Sequence, residues 1–149
     1  RIEPATVSPL PTYFPDVMPT IAELTGSDEH LPGGLDGVSL APTLLGRPDD
    51  QAEHPFLYWE YTRVGNWQEL TYVDDGPQQA VRMGGRKLVR MRTTEPFELY
   101  DLDTDPNETT DIAGDHPALV AEMTRLAEAA HTAPVSQAEP DMPEGKRFR

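Results

Sequence analysis

The chain has 149 residues, with 26 acidic against 12 basic side chains and a formal net charge of −14. Such a charge repels a phosphate backbone and an anionic membrane surface, so neither nucleic acid nor membrane is an expected partner. The sequence has no cysteine, which excludes disulfides, thiol nucleophiles and thiolate metal sites; no apolar run approaches the length of a membrane span.

In chain order, residues 1–15 hold too many prolines for a regular element and read as extended chain. Asp16 stands where it can cap a helix over Val17–Thr25, with Gly26 as the stop and Pro19 in the first turn, where its missing N–H costs nothing. Val17, Met18, Ile21 and Leu24 form an apolar stripe that needs a partner surface. Ser27–Gly37 reads as a loop, and Ser39 can cap a short helix, Leu40–Leu45, ending at Gly46. Arg47–His54 is charged and loop-like and reads as a boundary between two units. Phe56–Thr62 is aromatic-rich and favours a strand. Arg63–Pro77 suits a long functional loop, part of which can extend a strand.

The clearest local signal lies in Gln79–Met83 and Arg86–Met91, two β-like runs joined by Gly84-Gly85. Two glycines supply the positive φ that a tight hairpin turn requires. A third run, Phe97–Leu102, follows a turn near Thr93–Pro96 and completes an antiparallel meander. Asp115 can then cap a helix starting at His116-Pro117. In it Leu119, Val120, Met123, Leu126, Ala127 and Ala130 share one face, to be laid on the sheet. Residues 132–149 lack apolar periodicity and read as an extended or mobile tail. The expected fold class is α+β: a small antiparallel sheet of three to four strands packed against a C-terminal helix.

Several phrases carry a family resemblance: DVMPTIAELTG, LDGVSLAPTLLG, LYWEY, QAVRMGGRKLVR and ELYDLDTDPNETTDIAGDHP, in that order. Together they resemble the C-terminal region of the sulfatase family, within the alkaline phosphatase superfamily, over roughly Asp16 to His131. The resemblance implies that residues 1–50 complete a large α/β sulfatase domain and that 51–131 form a C-terminal α+β subdomain. It also implies a formylglycine nucleophile, made from the first residue of a Cys/Ser-x-Pro-x-Arg motif, and a calcium ion, both carried by the N-terminal α/β domain. That domain, and a sulfated small molecule or glycan, are the implied partners.

No such motif begins at any serine of this chain, and Asp49-Asp50 and Asp74-Asp75 read as solvated turn residues, not metal ligands. No catalytic or metal residue is therefore expected here. His30, His54 and His131 read as isolated, and His116 as part of a helix start. Arg82, Arg86, Lys87, Arg90 and Arg92 either form an anion-attracting face or pair across strands with Glu98, Asp101 and Asp103; the second reading is preferred. Trp59 is expected between sheet and helix. Glu60, Arg63 and Trp67, at a strand end and in the long loop, are the substrate-cleft candidates.

The expectation is thus part of a longer protein, a sulfate-ester hydrolase in which this stretch serves as scaffold and cleft wall. A phosphonate or phosphate diester hydrolase of the same superfamily is the near alternative, and a free-standing binding module the distant one.

Overall fold

The computed structural model describes residues 2–62, 64–66, 71–72 and 76–132 of the chain. Its first unit is built on a 3-10 turn, Phe14–Asp16, that runs directly into helix α1 (Val17–Thr25). Gly26, at φ 70°, ends α1 in the left-handed conformation that glycine adopts without strain, its N–H reaching the Ala22 and Glu23 carbonyls. Thr20 Oγ1 accepts the Leu40 N–H at 2.8 Å, tying α1 to the short helix α2 (Ala41–Leu44). The Gln51 side chain braces α2 from both Ser39 and Thr43. Its Oε1 accepts from Thr43 N and Thr43 Oγ1, and its Nε2 donates to the Ser39 carbonyl at 2.8 Å.

Among the described residues six strands follow: β1 (Leu57–Tyr61), β2 (Val64–Asn66), β3 (Thr71–Tyr72), β4 (Gln78–Met83), β5 (Arg86–Arg90) and β6 (Glu98–Asp101). β1, β4, β5 and β6 form one antiparallel sheet in the order β1-β4-β5-β6, while β2 and β3 pair separately. Gly84, at φ 57°, makes the β4–β5 turn. The outer edge of β6 is covered: Leu99 N donates to Asp111 Oδ1 and Ile112 N donates to the Leu99 carbonyl, both at 2.9 Å. Occupying an edge in this way removes a template for unwanted pairing. Helix α3 (Pro117–Ala130) closes the chain of elements.

Cross-strand register fixes which side chains share a face, because alternate residues of a strand point to opposite sides. Val81, Leu88 and Leu99 lie side by side and are fully buried, and Met123 and Ala127 of α3 close over them. Burying such aliphatic side chains contributes about 1.5–3 kcal/mol each, which makes this layer the main source of cohesion. The expected α3 stripe holds: Leu119, Val120 and Leu126 flank the same cluster. The fold is α+β, with the four-stranded sheet and covering helix that the sequence pattern implies.

Three local expectations fail. Asp16 is the residue before α1 but makes no cap bond to it; its carboxylate turns away to other partners. Asp115 closes a 3-10 turn, Ala113–Asp115, and α3 begins at Pro117, with no side-chain bond from His116. Proline starts a helix well because its fixed φ is already helical. Trp59 is not between sheet and helix. Its register neighbours are Ala80 and Val89, on the face opposite α3, where it stays 40% exposed with Tyr13 edge-on to its ring at 5.9 Å.

The apolar stripe of α1 finds no cover within the described residues. Val17, Met18, Ile21 and Leu24 are all exposed, as is Phe14. Together with Leu31 and Pro15, most of them line an open cavity of about 580 Å³.

Candidate functional site

Of the three cleft candidates, Arg63 and Trp67 lie outside the described residues. Glu60 is described, and it ends a polar row across the sheet. Glu60 faces Gln79 on β4, and Gln79 faces Arg90 on β5. The row sits on the same face as Val81 and Leu88, one step beyond the apolar layer.

Its hydrogen bonds all run one way. Arg90 donates to Gln79 Oε1 from Nε at 2.9 Å and from Nη2 at 2.5 Å, with its guanidinium 4.5 Å over the Phe97 ring. Gln79 Nε2 donates to the Tyr58 hydroxyl at 2.8 Å. Tyr58 donates in turn to Glu60 Oε2, which also meets His131 Nδ1 at 2.6 Å. A guanidinium can only donate and a carboxylate can only accept, so the Gln79 amide between them has one satisfactory orientation. Burial works against the Glu60 charge, yet the Tyr58 hydroxyl and the His131 ring hold its carboxyl below the usual carboxylate range. Burial, followed by the neighbouring Glu60, pushes the Tyr58 phenol up to about 12, so it remains a donor.

The basic cluster resolves mostly into pairs. Arg86 contacts Asp101, the expected cross-strand partner. Lys87 instead reaches Glu108 at 2.6 Å, Arg92 meets Glu95 at 2.9 Å, and Arg82 Nε donates to the Gly84 carbonyl. Glu98 is engaged by the Tyr100 hydroxyl at 2.8 Å. Three of the five basic side chains are thus ion-paired, and Arg82 and Arg90 are hydrogen-bonded within the chain.

Sequence reasoning missed a second constellation. The Asp16 side chain is completely buried, and His54 Nε2 lies 2.7 Å from its Oδ1. The same carboxylate accepts the Val38 N–H at 2.9 Å and the Tyr13 N–H at 3.0 Å. Burial opposes its charge, but these N–H groups and His54 hold its pKa below the ordinary value. His54 is therefore not isolated, and neither is His131; His30 is exposed beside Glu29. Tyr13 packs edge-on against His54 at 4.9 Å, and both rings border a cavity of about 260 Å³ reaching Tyr58 and Ala130. The cavity joins the Asp16 centre to the polar row of the sheet.

Among the described residues no group of three or more His, Asp or Glu side chains is placed to hold a metal ion. Asp101 and Asp105, close in sequence, are turned to separate tasks: Asp101 to Arg86, and Asp105 to the N–H groups of Thr109 and Thr110.

The chain is 34% identical over 101 residues to a Δ4,5-hexuronate-2-O-sulfatase of Bacteroides thetaiotaomicron, covering 67% of this chain and 19% of that protein. It is 36% identical over 118 residues to a choline-sulfatase of Rhizobium meliloti, covering 78% and 20%. The chain corresponds to the C-terminal region of the sulfatases. The solved structure of a 2-O GAG sulfatase superimposes with a TM-score of 0.61 at 29% identity, over 76% of this chain and 23% of that one. No family model matches the sequence. The sulfatase region thus spans about a fifth of the length of the curated relatives it matches.

Proposed function

We propose that this chain is the C-terminal part of a sulfate-ester hydrolase, working as scaffold and cleft wall beside an α/β domain that carries the formylglycine nucleophile and calcium. The observation that carries the reading is the match to two sulfatases over two-thirds or more of this chain and about a fifth of theirs. Residues 1–50 belong with the α/β domain in this reading, and 51–131 form the subdomain. The uncovered stripe of α1 supports it: Met18 and Ile21 are more than half exposed, and apolar area of that kind is favourable to bury against a partner.

Glu60 is the described residue best placed for a cleft role. It is anionic, it is held by donors on two strands and the α3 end, and it lies just before the segment containing Arg63 and Trp67. An anion does not attract a sulfate group, so its role is to orient a hydroxyl or a basic side chain, not to grip the ester. The substrate class is a sulfated small molecule or glycan.

Sulfate release from an aryl sulfate and from sulfated disaccharides tests this in the intact parent protein and in the 149-residue chain. The intact protein is expected to turn over a sulfate ester, and the chain alone to be inactive. Turnover of phosphate diesters in place of sulfate esters by the intact protein defeats the sulfatase assignment. Metal-dependent sulfate release by the purified chain, above a mock purification, defeats the scaffold assignment.

A further inference from the structure

We propose that the contact between His131 and Glu60 is an acid-strengthened latch that holds the C-terminal end of α3 against strand β1. The proposal is independent of any cleft role for Glu60. β1 is an edge strand of the four-stranded sheet, paired on one side only, with β4, so contacts from α3 add to a single ladder. His131 is the residue at which the backbone leaves the helix, with φ −64° and ψ 126°, while its N–H still reaches the Ala127 carbonyl at 3.0 Å. Its imidazole therefore sits where the backbone leaves α3, 71 residues from its partner.

The partner is prepared for it. Glu60 Oε2 already receives the Tyr58 hydroxyl, which is fixed by Gln79 and, through it, by Arg90. Glu60 is anionic across the neutral and mildly acidic range, Tyr58 is protonated throughout it, and Arg90 is always cationic. Within the contact, imidazole is the side-chain type that changes charge between about pH 5 and pH 8. With Glu60 anionic, the bond that a neutral ring donates from Nδ1 is already charge-assisted. Protonation of the ring adds an ion pair to it, worth about 0.2–1 kcal/mol where the pair is partly exposed. Other titratable groups stand nearby and belong in the account. Glu128 lies on α3 itself, and Tyr13, Asp36 and His54 border the cavity beside Ala130. The latch side chains are about a quarter to a third exposed, at 24% for Glu60 and 34% for His131, so solvent weakens the effect.

Amide hydrogen exchange of the His131 N–H, corrected for intrinsic rate, tests the latch on the full chain at about pH 5.5 and about pH 8, either side of the ordinary imidazole range. Protection is expected to be roughly two- to fivefold higher at the lower pH, the discount for exposure included. His131→Gln keeps a donor but cannot titrate, and Glu60→Gln keeps an acceptor without charge; each is expected to abolish the pH difference. His131→Gln lies at a helix end and leaves the apolar layer untouched, so it remains informative if Glu60→Gln fails to fold. Equal protection at the two pH values in the unaltered chain overturns the proposal. So does a difference that survives His131→Gln or Glu60→Gln, since His54 or Asp36 would then be the sensor.

Discussion

Asp16 Oδ1 and His54 Nε2 lie 2.7 Å apart across 38 residues of sequence, inside the packing between the first unit and the start of the sheet. The same carboxylate holds the N–H groups of Tyr13 and Val38. One buried side chain thus fixes the entry to α1, the loop before α2 and the segment leading into β1.

Removing it should be costly. Asp16→Ala leaves two N–H groups and an imidazole without their acceptor, and each buried unpaired group costs about 1–3 kcal/mol. A loss of about 2–4 kcal/mol in urea unfolding is the expected outcome. Asp16→Asn retains a single acceptor oxygen and should fall between the unaltered chain and Asp16→Ala. A loss for Asp16→Ala below about 0.5 kcal/mol, the ordinary surface value, would show that the centre is not structural.

The same residue sets the acid limit. Its folded pKa lies below its unfolded one, so its stabilisation is present above the ordinary aspartate range and drains away as pH falls through the folded value. Glu60, also held low, acts in the same direction. The stability contributed by these two carboxylates should be nearly flat above about pH 5 and drop below about pH 4. Asp16→Asn should make that acid drop shallower, which denaturant melts at stepped pH will resolve.

Local chemistry made the regular elements legible. Gly84-Gly85 marked the hairpin, Gly26 the end of α1, and the i, i+4, i+7 spacing the buried side of α3. The Asp16–His54 contact has no local signature, because nothing in either segment announces a partner 38 residues away. Trp59 misled for another reason. In LYWEY, Leu57, Trp59 and Tyr61 share one face, but only Leu57 is buried on it while Trp59 and Tyr61 stay largely exposed, so a large aromatic ring was no guide to which face meets α3. On the other face Tyr58 and Glu60 are tolerated because Gln79, Arg90 and His131 satisfy their polar atoms. Lys87 likewise bypasses the facing strand for Glu108, which stands in the turn after β6 at φ 55°. Of the cleft candidates, Glu60 was legible as a position at a strand end, while the donors that hold it were not.

Helix α3 offers a phase test. Met123 is fully buried against Val81, Leu88 and Leu99, whereas Glu122 is exposed. Met123→Ala should cost about 2–5 kcal/mol through lost burial and the cavity left behind. Leu126→Ala should cost less, because Leu126 is only partly buried. Glu122→Ala should change stability by less than about 0.5 kcal/mol. Equal losses for Met123→Ala and Glu122→Ala in denaturant melts would place the wrong face on the sheet.

Two glycines separate backbone crowding from side-chain crowding. A Cβ on Gly37 would stand 2.0 Å from the Pro15 carbonyl oxygen and 3.0 Å from Asp16 N. Those are backbone atoms of the turn that presents Asp16, and they cannot step aside alone. A Cβ on Gly85 would stand 2.1 Å from Asp103 Oδ2, but Asp103 is an exposed side chain that can rotate away. Gly37→Ala should therefore push residue 37 off the Pro15–Asp16 turn and pull the neighbouring Val38 N–H from Asp16 Oδ1. The expected cost is about 1–3 kcal/mol, as for other overpacked sites, with faster exchange of the Val38 amide. Gly85→Ala should cost less than about 1 kcal/mol, mainly the adjustment of one flexible neighbour. If the two variants melt together, or if the Val38 amide keeps its protection in Gly37→Ala, the close approach of Gly37 to Pro15 does not position the Asp16 centre.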